Sequence, residues 1–163
     1  MRFISMDICT LTAAYRPEVD RYIRDEWGGP MLVTRGNLFD SRDLPGFVAV
    51  EDDALLGAAL YAIRGDECEI ATLFSLQPNR GAGNALIQAV LDKAREARCR
   101  RVWLITTNDD THAIRFYQRR GFTLKAVHLN AFELTKKLKP GLEGIVGIDG
   151  IPILHEFEFE IVL

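Results

Sequence analysis

The sequence predicts an α+β fold built on one mixed β-sheet, and three stretches carry that prediction. Residues 46–76 hold three β-leaning runs separated by short polar turns, the pattern of antiparallel strands joined by hairpins. Residues 69–106 then run strand, glycine turn, helix, strand, and two strands joined by a crossover helix pair in parallel. The chain ends on HEFEFEIV (residues 155–162), whose alternation of polar and apolar residues predicts a half-exposed final strand.

Each element follows from its own residues. Arg2 to Leu11 alternates loosely and predicts an opening strand. Pro17 suits the start of a helix, and Val19, Tyr22, Ile23 and Trp27 recur at helical spacing until Gly28-Gly29-Pro30 stops them. Trp27 is expected to anchor that helix in the core. Met31 to Leu38 reads either as a second, shorter helix or as a structured loop, because Gly36 and Asn37 interrupt its pattern. Gly46–Glu51 and Leu55–Arg64 form a hairpin about Asp52-Asp53, and Gly65-Asp66 turns the chain into a third strand, Glu67–Leu76. Leu86, Ile87, Val90, Leu91 and Ala94 make one apolar stripe on a helix from Gly83 to about Ala97. RVWLIT (101–106) is a short buried strand. Thr107 to Thr111 supplies cap residues for a helix carrying Ala113, Ile114, Phe116 and Tyr117, which Gly121 ends. Phe122–Val127 is a further strand, Ala131–Lys139 a helix closed by Pro140, and Gly141–Pro152 a glycine-rich loop.

Composition bounds the function. A chain of 163 residues predicts one domain over 1–163, and 48% hydrophobic with 26% charged residues is the composition of a soluble globular protein. A net charge of -3 provides no field that would gather nucleic acid. The 3 cysteines, Cys9, Cys68 and Cys99, are far apart, show no C-x-x-C spacing and have no nearby His, so they read as reduced, mostly buried thiols and no metal site is expected. With no apolar leader and no apolar run of spanning length, no membrane partner is expected and the location expected is cytoplasmic.

The chemistry concentrates between Phe74 and Ala94. A strand that ends in a glycine turn at a helix start collects unpaired main-chain N–H groups and the positive end of the helix dipole, which together bind anions. Gly81 and Gly83 can adopt positive φ and admit a ligand where a Cβ would collide. The turn is neither G-x-G-x-x-G nor G-x-x-x-x-G-K-[ST], so neither a dinucleotide nor a nucleoside triphosphate is its expected ligand.

Arg80-Gly81-Ala82-Gly83-Asn84-Ala85 resembles the acyl-CoA loop [QR]-x-x-G-x-[GA] of the GCN5-related N-acetyltransferase superfamily. Ala113 to Phe122 (AIRFYQRRGF) is similar to that family's A-x-x-F-Y-x-x-x-G-F segment, in the same order along the chain. The resemblance implies a central sheet splayed between two parallel strands, and acetyl-CoA as acyl donor. It implies that main-chain amides from Gly81 through Ala82, Gly83 and Asn84 to Ala85 cradle the diphosphate, with Arg80 adding charge. It also implies that the backbone of Phe74, Ser75 and Leu76 pairs with the pantetheine arm, one N–H facing the thioester oxygen. Tyr117 matches the family's usual general acid, and its phenol is protonated at neutral pH. Asn108 and Asp110 precede that helix on the cofactor side; Asp110 stands where the family commonly has Asn, and either residue can cap.

The base that takes the amine proton has several candidates. Glu69, the first choice, and Glu67 lie on the strand where some family members place a carboxylate, on a face that alternation also allows to be solvent. His128 and relay through bulk water are the others. Tyr22, Trp27 and Arg35 fall in the region that in the family borders the acceptor. No Cys lies in either motif, so the implied reaction is direct attack of an amine on the bound thioester in a ternary complex. The acceptor is a small amine, an amino acid or a protein amine. The alternative is a catalytically silent acyl-CoA-binding module that regulates a partner. An alternating last strand could also pair across a homodimer.

Overall fold

The computed structural model describes residues 5–163. Nine strands and four helices follow one another: β1 (Asp7–Thr10), α1 (Arg16–Trp27), β2 (Met31–Thr34), β3 (Asn37–Asp40), β4 (Gly46–Glu51), β5 (Ala54–Arg64), β6 (Glu67–Ser75), α2 (Ala82–Glu96), β7 (Arg101–Thr107), α3 (Thr111–Gln118), β8 (Thr123–His128), α4 (Ala131–Leu138) and β9 (Glu156–Val162). Seven strands form one sheet in the order β1-β4-β5-β6-β7-β9-β8, and β2 pairs with β3 in a separate ribbon. The sheet is mixed, with one parallel pair, as the strand-helix-strand pattern requires. Of the expected opening strand, residues 2–4 lie outside the described residues.

The described residues fall into two compact units, one of residues 5–30, 40–102 and 163 and the other of residues 31–39 and 103–162. In the first, β5 is buried without a break from Leu55 to Ala62. Its central position between β4 and β6 explains why its sequence shows no alternation. The stripe of α2 lies over β4, β5 and β6, with Leu86, Val90 and Ala94 fully buried. Asp52 and Asp53, both at positive φ (47° and 62°), make the tight turn that the hairpin needs. Val19 and Ile23 anchor α1, and Tyr22 stacks on Phe74 with ring centroids 3.8 Å apart. Trp27, expected in the core, is 38% exposed at the end of the helix, where its ring lies edge-on to Tyr22 and Gly28 (φ 72°) follows.

The second unit brings two corrections. Met31–Leu38 is neither helix nor loop but most of the β2–β3 ribbon, turned by Arg35 (φ 51°) and Gly36 (φ 73°). Leu32 and Thr34 are buried alternately, a period of two that overrides the helical reading. The final strand is half exposed, but not on its polar side: Phe157 is only partly buried and Val162 is exposed, whereas Glu156 and Glu158 are buried with Phe159. Partners explain their burial, since an unpaired carboxylate would not leave water. Glu156 accepts hydrogen bonds from Arg35 N (3.0 Å) and Thr135 Oγ1 (3.4 Å), while Glu158 lies 3.1 Å from His128 Nε2 and 3.5 Å from Arg35 Nε. β9 sits between β7 and β8, so it is not the margin by which a second copy would pair; the margins are β1 and β8.

All three cysteines are free thiols, Cys9 exposed and Cys68 and Cys99 buried. Burial, with lesser contributions from Cys99 and Glu69, pushes the Cys68 thiol up to about 12, and burial raises Cys99 as well. Only the thiolate attacks a disulfide reagent. Titration of the folded protein with an aromatic disulfide near pH 8 should therefore consume the Cys9 thiol promptly and the other two only after denaturant is added. Rapid reaction of all three would show that the sheet and α2 do not shield Cys68.

Among the described residues no helix is long and apolar enough to cross a membrane, and no group of acidic, His or Cys side chains is arranged to hold a metal ion.

Candidate active site

In the first unit β6 delivers the chain to the glycine turn. Its pairing with β5 slips between Leu60↔Thr72 and Tyr61↔Ile70, so Ala71 is the extra residue of a bulge that no residue type in the sequence announced. Phe74 is buried, Ser75 and Leu76 are exposed. The Leu76 N–H donates to Leu56 O at 2.7 Å, which leaves it committed to the sheet.

The turn itself follows the chemistry of its residues. Asn79 (φ 63°) and Gly81 (φ 79°) are both left-handed, a conformation that Asn tolerates and Gly adopts without cost. Gly81 is the residue preceding α2, which starts at Ala82, one residue earlier than its pattern suggested; Gly83 is helical and only Gly81 uses positive φ. No side chain caps this end and its first turn holds no acidic residue. A Cβ built on Gly81 would meet nothing within 4 Å, so the main chain here faces open space. Ala82 is buried, Gly83 and Ala85 partly so, and Asn84 is exposed. Arg80 does not stand free in the turn: its Nη2 donates to both carboxylate oxygens of Glu51 (2.6 and 2.7 Å) and its Nη1 to Gln77 Oε1 (3.0 Å).

Glu69 is buried on β6, its carboxylate 2.8 Å from Arg64 Nη1, and its face is therefore not solvent. Glu67, less buried, pairs with Arg100 and Arg101. The signal that separates the two is the preceding strand: Arg64 ends β5, with Ala62 opposite Glu69.

In the second unit the link between β7 and α3 is held by three successive side chains. Asp110 caps α3, accepting from Ala113 N at 2.9 Å. Asn108 does not cap. Its Oδ1 accepts from the N–H groups of Leu154 (2.8 Å) and His155 (2.9 Å), and its Nδ2 donates to Pro152 O (2.9 Å). Asp109, which sequence reasoning passed over, is buried and accepts from Ile148 N at 3.0 Å, fastening the glycine-rich segment. Its position beside two other capping types hid it.

Tyr117 lies on α3, half-buried, with its ring edge-on to Phe116 (5.1 Å) and Phe122 (5.5 Å). Its hydroxyl makes no hydrogen bond to any described residue. Burial raises the phenol well above its ordinary value, the Asp110 carboxylate adds to the rise, and Arg120 opposes it. The phenol is thus a proton donor over the whole neutral and mildly alkaline range. His128, the other expected proton acceptor, is engaged with Glu158.

Thus an exposed run, Ser75 to Gly81, leads from β6 into α2 in the first unit, while Asn108, Asp110 and Tyr117 gather at the start of α3 and on it in the second. Comparison with known proteins adds the lineage. The chain is 41% identical over 143 residues to the uncharacterized protein YdhI of Bacillus subtilis (strain 168), covering 87% of this chain and 89% of that one. It is 34% identical to the uncharacterized protein YxbD of the same organism, over 85% and 87%. Its fold matches a GNAT family acetyltransferase from Elizabethkingia anophelis solved with acetyl-CoA bound (TM-score 0.69, 16% identity, 97% and 98% covered). An IAA acetyltransferase from Bacillus cereus matches similarly (TM-score 0.70, 16% identity, 98% and 100% covered). The sequence model of the acetyltransferase (GNAT) family matches residues 7–122, and the chain belongs to that family.

Proposed function

We propose that the protein is an acetyl-CoA-dependent N-acetyltransferase that moves an acetyl group to an amine, carried by a small molecule or a protein, by direct attack in a ternary complex. The observation that carries this reading is the open, left-handed Gly81 at the uncapped start of α2. There main-chain amides from Gly81 to Ala85 would hold the diphosphate with help from the helix dipole. The acetyl-CoA bound to the Elizabethkingia protein of the same fold supports the choice of donor.

The strand end at Phe74 and Ser75 would hold the pantetheine arm. The amine nitrogen attacks the thioester carbon, a tetrahedral oxyanion forms, and its collapse breaks the C–S bond and expels CoA as thiolate. Tyr117 hands that thiolate its phenolic proton; the unengaged hydroxyl supports the assignment. Glu69 is the carboxylate proposed to take the proton that the amine sheds. Asn108 and Asp110 act at one remove, holding the start of α3 and so the height of Tyr117. A cysteine acyl-enzyme is disfavoured by the same burial that keeps Cys68 protonated.

The reading is tested by following free thiol release from acetyl-CoA with a panel of small amines, amino acids and peptide N-termini. Release that depends on one acceptor class is the expected result. CoA binding without turnover on any acceptor would favour the silent regulatory module, and competition by ATP with no CoA binding would overturn the reading altogether.

A further inference from the structure

We infer that Glu51 is a positioning residue for the glycine turn, and that Arg80 serves the bound diphosphate through the shape of that turn and not by lending it charge. The inference rests on the reading that acetyl-CoA binds at Gly81–Ala85. Its starting point is what the main chain leaves undone. Strand β6 makes its last sheet bond at Leu76 N to Leu56 O, and the first bond of α2 is Ala85 N to Gly81 O. Between them residues 77–80 form only a tight turn about Pro78-Asn79, with neither ladder nor helix bonds. Two left-handed residues, Asn79 and Gly81, flank Arg80 in this gap. A segment without ladder or helix bonds adopts one conformation only if side chains hold it, and otherwise the ligand bears the cost of ordering it.

The side chains that hold it converge on Arg80. Both Nη2 contacts go to Glu51, Nη1 goes to Gln77 Oε1, and Ser75 Oγ donates to Gln77 O at 3.0 Å. Glu51 is a sound anchor: its side chain is 15% exposed against 44% for Arg80, and it closes β4 opposite Ala54. This clasp holds Nη2 through Glu51 and Nη1 through Gln77, so two nitrogens of the guanidinium are fixed, and with them the direction of its plane. It also spends the charge. With a carboxylate this close, the pair presents little net positive field to an approaching diphosphate. Isolated surface pairs add little to global stability, so the effect belongs in ligand affinity and not in the melting temperature.

Calorimetric titration with CoA separates the two roles of Arg80. We expect Glu51→Gln and Arg80→Gln each to weaken CoA binding about fivefold, and the double variant to be no weaker than either alone, because both remove the same clasp. The slope of log Kd against salt concentration should stay at the wild-type value in the double variant, which removes one charge of each sign, and thermal melts should be unmoved in all three. If Arg80 instead touches phosphate, Arg80→Gln will weaken binding and flatten the salt slope while Glu51→Gln leaves affinity unchanged or improves it; that pattern overturns the inference, as does a double variant whose losses multiply. Wild-type protein that fails to bind CoA sinks the functional reading and is recognised before any variant is made.

Discussion

Tyr117→Phe should slow acetyl transfer about a hundredfold and leave the Kd for acetyl-CoA within about twofold of wild type, since a positioned general acid typically contributes that much or more. The ring packs edge-on against Phe116 and Phe122 and its hydroxyl makes no bond within the described protein, so removing one oxygen disturbs no internal partner. Single-turnover thiol release, measured beside equilibrium binding, separates the two quantities. An unaltered rate would remove Tyr117 from the mechanism. The pH dependence has a defined sign. Burial raises the phenol in the native state, whereas an unfolded tyrosine ionises near pH 10, so the native form holds its proton longer. This contribution to stability is complete below about pH 10 and is lost as pH rises beyond it. Denaturation midpoints of wild type should therefore fall more steeply above about pH 10 than those of Tyr117→Phe. Any alkaline change in wild-type turnover below that pH must come from another group.

Gly57→Ala should cost about 2–3 kcal/mol of stability and raise the KM for acetyl-CoA, a large effect for one methyl group. A Cβ at this position would stand 2.5 Å from the carbonyl oxygen of Phe74, 3.2 Å from Ser75 Cα and 3.4 Å from Leu86 Cδ1. Two of these neighbours are main chain, which cannot swing aside as the end of a side chain can. The strand end at Phe74–Ser75, or the N-terminal part of α2 through Leu86, must shift. Both border the turn at Gly81. Urea midpoints would register the first effect and steady-state kinetics the second; a variant with wild-type values for both would show that β5 and β6 separate more freely than their register suggests.

How much of this could be read from residues alone differs by region. The meander from Gly46 to Ser75 was legible because its β-leaning runs are bounded by turns carrying Asp-Asp and Gly-Asp, and α2 because its apolar stripe follows one helical period. The β2–β3 ribbon was not, since its turn is Arg35-Gly36 and its strands span only 4 residues each. The alternation in HEFEFEIV gave the strand but the wrong environment. Period two reports that two faces differ; it does not report that Arg35, His128 and Thr135, all distant in sequence, supply partners to the polar face. The candidate site divides the same way. Glycine geometry at residues 80–85 is local and was visible, whereas the Glu51 contact to Arg80 joins residues 29 apart and needed the fold. Asn108 likewise looked like a cap, and only the return of the chain at residues 152–155 shows what it holds.

The interior position of β9 bears on the order of assembly. Among the described residues strand β8 pairs in the sheet with β9 alone, across Thr123↔Glu160 to His128↔Glu156. A growing polypeptide that has exposed β8 therefore has nothing to zip it against until residue 162 has been polymerised. Its unpaired main-chain N–H and C=O groups would meanwhile be offered to other chains, and Lys125, between the exposed Leu124 and Val127, is the local guard against such sticking.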